Sequence, residues 1–218
     1  MPEILYHDEH IAVALKPAGL LSEGDGEDCL PTLLLRELNG KRAESGLEPL
    51  HTLYTVHRLD RDTEGITVYA LSSKAAAELS RQIQSDLWHK EYVALLWGSP
   101  EQDSGRLEDL LFYDRKRSKS FVVKRQRQGV KRAVLDYEVL SRLNDRTAVR
   151  VILGTGRTHQ IRVQFASRGL PLCGDRRYGA PAESGKNLCL CAAALSFKHP
   201  ITGKPLSFST SPLGFRCE

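Results

Sequence analysis

His57-Arg58-Leu59-Asp60-Arg61-Asp62-Thr63-Glu64-Gly65 sets one carboxylate, Asp60, between two arginines in a polar segment that ends in glycine. The apolar run Ile66 to Leu71 follows directly and reads as a strand, so the segment is a loop held by a scaffold. Packing alone does not call for such a loop. The flanking arginines favour the ionised form of Asp60, which suits a nucleophile or an acid/base group.

Working outward toward the N-terminus, Ile4 to Tyr6 and Ile11 to Leu15 flank the polar turn His7-Asp8-Glu9-His10 and predict a hairpin. A helix is expected from Leu30 or Pro31 to Leu38, with proline in its first turn and Asn39-Gly40 at its end. On the other side of the loop, Ser73 is expected to cap a helix through Gln84 that lines up Ala76, Leu79 and Ile83. Lys90 to Trp97 and Arg146 to Leu153 alternate as strands do. After the turn Gly154-Thr155-Gly156, Thr158 is placed to cap a helix that buries Ile161 and Phe165 and stops at Gly169. Leu188 to Leu195 and Leu206 to Thr210 read as strands on either side of a His199 to Pro205 turn. Strands outnumber helices and hairpins recur, so the expected class is α+β with a mainly antiparallel or mixed central β-sheet flanked by helices.

The 218 residues, 41% of them hydrophobic, can bury a sizeable core, and no low-complexity linker divides them. One domain over residues 1–218 is expected. Met1 to Leu15 carries Glu3, Asp8 and Glu9 and lacks the apolar core of a secretory signal, and no stretch approaches a membrane span. Cys29, Cys173, Cys189, Cys191 and Cys217 are odd in number and lack paired ligand spacing. That argues against a disulfide framework and a structural zinc site, and for a reducing cytoplasm. The formal charge is only +4, yet Arg115 to Arg132 holds nine lysines and arginines and no acid, around Phe121, Val122 and Val123. On composition alone such a run reads as a solvated strand pair.

A second dense segment, Gly154-Thr155-Gly156-Arg157-Thr158-His159-Gln160-Ile161-Arg162, comes much later in the chain. Around the two lie Lys16-Pro17-Ala18-Gly19, Lys90-Glu91-Tyr92-Val93-Ala94, Gly174-Asp175-Arg176-Arg177-Tyr178-Gly179 and His199-Pro200-Ile201-Thr202-Gly203. In this order the six stretches resemble the motifs of the RluA family of pseudouridine synthases, and the resemblance covers nearly the whole chain. It implies a single catalytic domain of the pseudouridine synthase fold. It also implies isomerisation of uridine in structured RNA, ribosomal or transfer, without a metal or other cofactor. The small N-terminal RNA-binding module that many relatives carry is not expected, because the first motif begins at Lys16.

The resemblance makes Asp60 the catalytic nucleophile, Arg157 its charge partner and Tyr92 the residue that stacks on the uracil and offers a hydroxyl. Arg58 is the candidate to fill the gap left by a flipped nucleotide, since a guanidinium plane can stack where a base was. His57, Lys16, His159, Gln160 and Arg162 are expected to shape the site or touch RNA. Beside this signature the basic run becomes phosphate-contacting surface, with Arg115, Lys116, Arg117, Lys124 and Arg125 as contacts. RNA is the one partner implied; a monomer with no obligate protein partner is expected.

Three other readings compete. Asp60, Asp62, Glu64 and Gly65 mimic the start of a calcium loop, but Leu71 stands where such a loop needs its clamping acid and a strand follows. A noncatalytic RNA-binding or ribosome-assembly factor would need the arginine but neither Asp60 nor Tyr92. A glycosylase would use a similar carboxylate and release free uracil. The chain departs from the family pattern at Glu64, where serine is common, and at Gln164 and Cys191, where histidine is frequent.

Overall fold

A computed structural model describes residues 2–85 and 87–212, and the chain divides into two compact units. One comprises Met1–Lys90 and Ala192–Ser211, the other mainly Glu91–Cys191. Cys217 lies outside the described residues; Cys29, Cys173, Cys189 and Cys191 are buried. No described helix is long and apolar enough to cross a membrane.

The first unit opens with the expected hairpin, β1 (Glu3–His7) and β2 (Ile11–Lys16), followed by α1 (Leu30–Glu44). Strand β3 (Tyr54–Thr55) and the Asp60 loop lead into β4 (Glu64–Ala70), antiparallel to β2, and then α2 (Ser73–Ile83). Alternation decides what each face of the sheet meets. Ile11, Val13, Ile66, Val68 and Ala70 join Ala75 and Leu79 of α2, whereas Ala14 and Tyr69 join Leu30 and Leu34 of α1. Strand β4 is therefore covered on both sides, which is why it is buried from Gly65 to Ala70 and does not alternate apolar with exposed polar residues.

In the first unit two helix boundaries differ from expectation. Helix α1 runs past Asn39-Gly40 to Glu44, because the Asn39 side chain is engaged elsewhere: Leu50 N–H donates to its Oδ1 at 2.7 Å and its Nδ2 donates to Leu50 O at 2.9 Å. The chain turns instead at Gly46, with φ +67°. Helix α2 is capped by Ser72, one residue early, whose Oγ accepts from Ala75 N–H at 3.3 Å. Its buried face is Ala75, Leu79 and Gln82, the last paired to the Lys198 backbone in both directions.

In the second unit β5 (His89–Trp97), β6 (Ser104–Asp114), β7 (Lys119–Val123), β8 (Val130–Leu143) and β9 (Arg146–Leu153) form antiparallel pairs in the order β5-β9-β8-β6-β7. Helix α3 (Gln160–Ala166) brings Val163 against Leu111 and Ala133, with Tyr178 completing the cluster. Its N-cap is His159 in left-handed backbone (φ 55°), not Thr158, whose carbonyl accepts from Ser120 Oγ. The chain then returns to the first unit through β10 (Leu190–Lys198), whose Ala192–Lys198 portion neighbours β4, and ends its sheet with β11 (Pro205–Ser209).

Gly65, the last residue of the opening motif, shows why β4 can lie so close to β10. Its φ is +120°, and a Cβ there would stand 2.4 Å from Ala192 O and 2.5 Å from Ala192 N.

Candidate active site

The Asp60 loop is gripped by the segment that follows β2. Lys16, 1% exposed, donates from Nζ to the carbonyls of Pro17 (3.0 Å), Leu20 (2.7 Å) and Arg61 (2.7 Å). Arg61 O also accepts from Gly19 N–H at 2.9 Å, and Arg61 Nε returns a bond to Gly19 O at 2.9 Å. Ser22 Oγ accepts from Leu59 N–H and donates to Leu59 O, each at 3.0 Å. Thr63 N–H donates to Asp60 O at 3.1 Å, closing the loop on itself. The backbone on both sides of the half-buried Asp60 is thus fixed by hydrogen bonds from a distant part of the sequence and by one from within.

Lys16 was expected among the RNA contacts; it is instead an internal clamp, because three carbonyls leave its ammonium no outward path. Burial pulls its pKa from 10.5 to about 8, opposed by the negative charges of Asp62 and then Asp60. Each flanking arginine is engaged by another carboxylate. Exposed Arg58 pairs with Glu23 at 2.6 Å, and exposed Arg61 reaches Asp28 at 3.3 Å.

His57 is also turned into the protein. Its Nε2 accepts from Val68 N–H of β4 at 3.0 Å, and its Nδ1 lies 3.0 Å from Lys90 Nζ. Both ring nitrogens are used inside the protein, so the residue ties the loop to β4 rather than meeting phosphate. Burial, and then the positive charge of Lys90 whenever it is protonated, hold its pKa well below the usual 6.5.

The second motif is built with equal density. Gln160, 3% exposed, accepts at Oε1 from Thr155 Oγ1 (2.8 Å) and Arg157 N–H (3.0 Å) and donates from Nε2 to Val134 O (2.9 Å). It shapes the turn that presents Arg157 and is too enclosed to touch RNA. Arg157 is half-buried, and its Nε donates to Arg132 O at 3.0 Å. Tyr92 lies on β5, 6% exposed, in register with Val151.

Arg162 also turns inward. It forms a two-bond pair with Asp175, Nε to Oδ2 at 2.7 Å and Nη2 to Oδ1 at 2.9 Å, with both side chains almost fully buried. A charge so enclosed needs a partner, and the Gly174-Asp175 motif supplies it. Tyr178, to which the sequence reading gave no role, connects this pair to the His159 turn. Its ring lies 5.2 Å from the Arg162 guanidinium carbon. Its hydroxyl accepts from Ser120 N–H and meets His159 Nδ1, both at 2.9 Å. Burial pushes its pKa up to about 12.

The basic run folds as the β6–β7 turn, β7 and the start of β8. Arg115, Lys116, Arg117, Lys124 and Arg125 are all exposed. Asp114 Oδ1 fixes the turn by accepting from Lys116 and Arg117 N–H at 2.9 and 3.1 Å. Of the departures from the family pattern, Gln164 is fully buried and donates to Asp109 at 2.7 Å, and Cys191 is buried. Glu64 opens β4 and adds to the negative charge around Lys16. Among the described residues no group of histidine, cysteine and carboxylate side chains converges as a set of metal ligands.

Comparison with known proteins agrees with the motifs. The profile of the family described as RNA pseudouridylate synthase matches residues 10–167. The dual-specificity RNA pseudouridine synthase RluA of Haemophilus influenzae is 37% identical over 216 residues, spanning 95% of this chain and 91% of that protein. Its Escherichia coli namesake is 37% identical over 218 residues, covering 94% and 90%. Among solved structures, human RNA pseudouridylate synthase domain containing 4 superposes with a TM-score of 0.77 at 24% identity, over 98% of this chain and 89% of that one. That likeness shows the fold; the sequence matches show the kinship. The chain belongs to the RNA pseudouridine synthase family.

Proposed function

We propose that this enzyme isomerises particular uridines in ribosomal or transfer RNA, with Asp60 as the catalytic nucleophile and no metal or cofactor. The observation that carries the reading is the grip on the Asp60 loop, which holds a carboxylate between fixed backbone on both sides. Preorganisation of this kind is what a nucleophile needs and a phosphate-binding loop does not.

The reaction breaks the bond between ribose C1′ and uracil N1, turns the base and joins C1′ to C5. N1 gains a proton and C5 loses one. Asp60 attacks covalently and is released as C1′ joins C5, Arg157 pairs with the carboxylate and orients it, and Tyr92 stacks on the base. The uridine has to leave its stack first, and Arg58 takes its place. Arg115, Lys116, Arg117, Lys124 and Arg125, with His159, hold RNA phosphates without reading bases. Both units act as one catalytic domain, residues 1–218, and the family match runs through both. The relatives are named dual-specificity enzymes, which supports testing both RNA classes. The protein acts as a monomer in the cytoplasm.

The test is tritium release from RNA labelled at uracil C5, with chromatography of the nucleosides. Pseudouridine is the expected product. Free uracil would make the protein a glycosylase, and unmodified RNA bound tightly would make it a noncatalytic factor.

A further inference from the structure

His57 stands three residues before Asp60, and Val68 lies in the strand that begins where the loop ends. The Val68 N–H to His57 Nε2 bond, 3.0 Å, therefore staples the two sides of the loop together. A backbone amide only donates, so Nε2 has to present its lone pair. A neutral imidazole then carries its proton on Nδ1, and Nδ1 lies 3.0 Å from Lys90 Nζ. An ammonium has no lone pair to receive that proton; a neutral amine has one. A doubly protonated ring is excluded by the same amide. With both contacts made, one protonation state fits: Nδ1–H imidazole and uncharged Lys90.

Aromatic rings enclose the pair, and burial rather than an ion partner lowers the charge on Lys90. Trp88 meets His57 edge-on at 5.2 Å, packs against Phe197 at 5.1 Å, and has its ring 5.5 Å from Lys90 Nζ. The groups that face Lys90 are His57 from the loop and Trp88 from the segment before β5; among the described residues no carboxylate pairs with it. Burial lowers its pKa to about 8.

We propose that Lys90 acts as a neutral hydrogen-bond acceptor that fixes the Nδ1–H tautomer of His57, and so positions the Asp60 loop for isomerisation. The catalytic part rests on the assignment of Asp60 above. A proton taken up by Lys90 forces Nδ1 to accept, moves the ring proton to Nε2 and deprives Val68 N–H of its partner. Lys90 is a positioning residue; it acts on the uridine only through His57.

The first test is imidazole nitrogen NMR of the full-length protein at about pH 9, where a lysine lowered in this way is uncharged. A His57 ring protonated at Nδ1 is expected, and an Nε2–H ring overturns the proposal. The second compares Lys90→Arg with Lys90→Met. Arginine stays charged and cannot accept, so K90R is expected to lose on the order of tenfold or more in kcat with KM for RNA little changed. K90M is expected to keep more activity and to lose the rise of kcat with pH that the wild type shows. Wild-type kcat in K90R overturns the positioning role; if K90R does not fold, a K90M pH profile unchanged from wild type does so instead. Activity retained by Asp60→Ala would remove the catalytic assignment, while the NMR result would still decide the tautomer.

Discussion

Lys16 Nζ donates to the carbonyl of Arg61 at 2.7 Å, tying the buried end of β2 to the residue that follows Asp60. The same ammonium serves the Pro17 and Leu20 carbonyls, so one side chain organises the whole approach to the carboxylate. Lys16→Met leaves three carbonyls without this donor, at about 1–3 kcal/mol for each one that water does not reach. We expect a stability loss of ~3 kcal/mol in urea denaturation, and a drop in single-turnover tritium release that exceeds the loss of RNA affinity.

Gly65→Ala drives a methyl group into the Ala192 backbone at a φ that alanine avoids. With backbone on both sides, relaxation requires β4 and β10 to part. The expected cost is about 3 kcal/mol or more, read as a fall in the denaturation midpoint.

The Arg162–Asp175 pair is enclosed on both sides, so removing one partner strands the other. Arg162→Met and Asp175→Asn are each expected to cost about 3–5 kcal/mol, and the double variant much less than their sum. A double-mutant cycle in urea checks this. Additive losses would mean that the two charges do not depend on each other.

Stability should rise between about pH 8 and 10. Lys16 and Lys90 are each lowered by burial to about 8, below the 10.5 of an exposed lysine. In that window the unfolded chain binds more protons than the folded one, so deprotonation favours folding. Above about pH 10 the trend reverses, because burial raises Tyr69 and Tyr178 and the unfolded tyrosines ionise first. Urea midpoints across the range measure the slope, and Lys90→Met should make its rising limb shallower.

Replacing Arg115, Lys116 and Arg117 together by alanine should weaken RNA binding on all sequences alike. If each meets one phosphate, the slope of log affinity against log salt falls by roughly 2–3. Their exposure predicts little change in stability.

The sequence was most legible where one periodicity ran uninterrupted. Strand β9 has the limits its alternation implied, and Ile66–Ala70 was recognisable as a strand from its apolar run. Strands β6 to β8 were hard to delimit because their exposed faces are charged; the basic run suggested a solvated strand pair on composition but gave no strand limits. Among the site residues, Arg58 and the turn lysines and arginines are exposed as their chemistry implied. Lys16, His57, Gln160 and Arg162 are not, and their partners explain why. Lys16 meets a carbonyl 45 residues away, Lys90 lies 33 residues from His57, and Gln160 reaches Val134 across 26. A local pattern carries the charge of a side chain but not the distant acceptor that lets it be buried. Tyr178 was missed for the same reason: its motif was visible, but its link between Ser120 and His159 exists only in the folded chain.

The central claim is that Asp60 is the nucleophile held by this scaffold. Its most direct test is single-turnover tritium release from C5-labelled ribosomal and transfer RNA by the wild type and by Asp60→Ala, with RNA affinity measured alongside. The account predicts release by the wild type alone, with affinity retained in the variant. Release by Asp60→Ala at a rate comparable to wild type would contradict it.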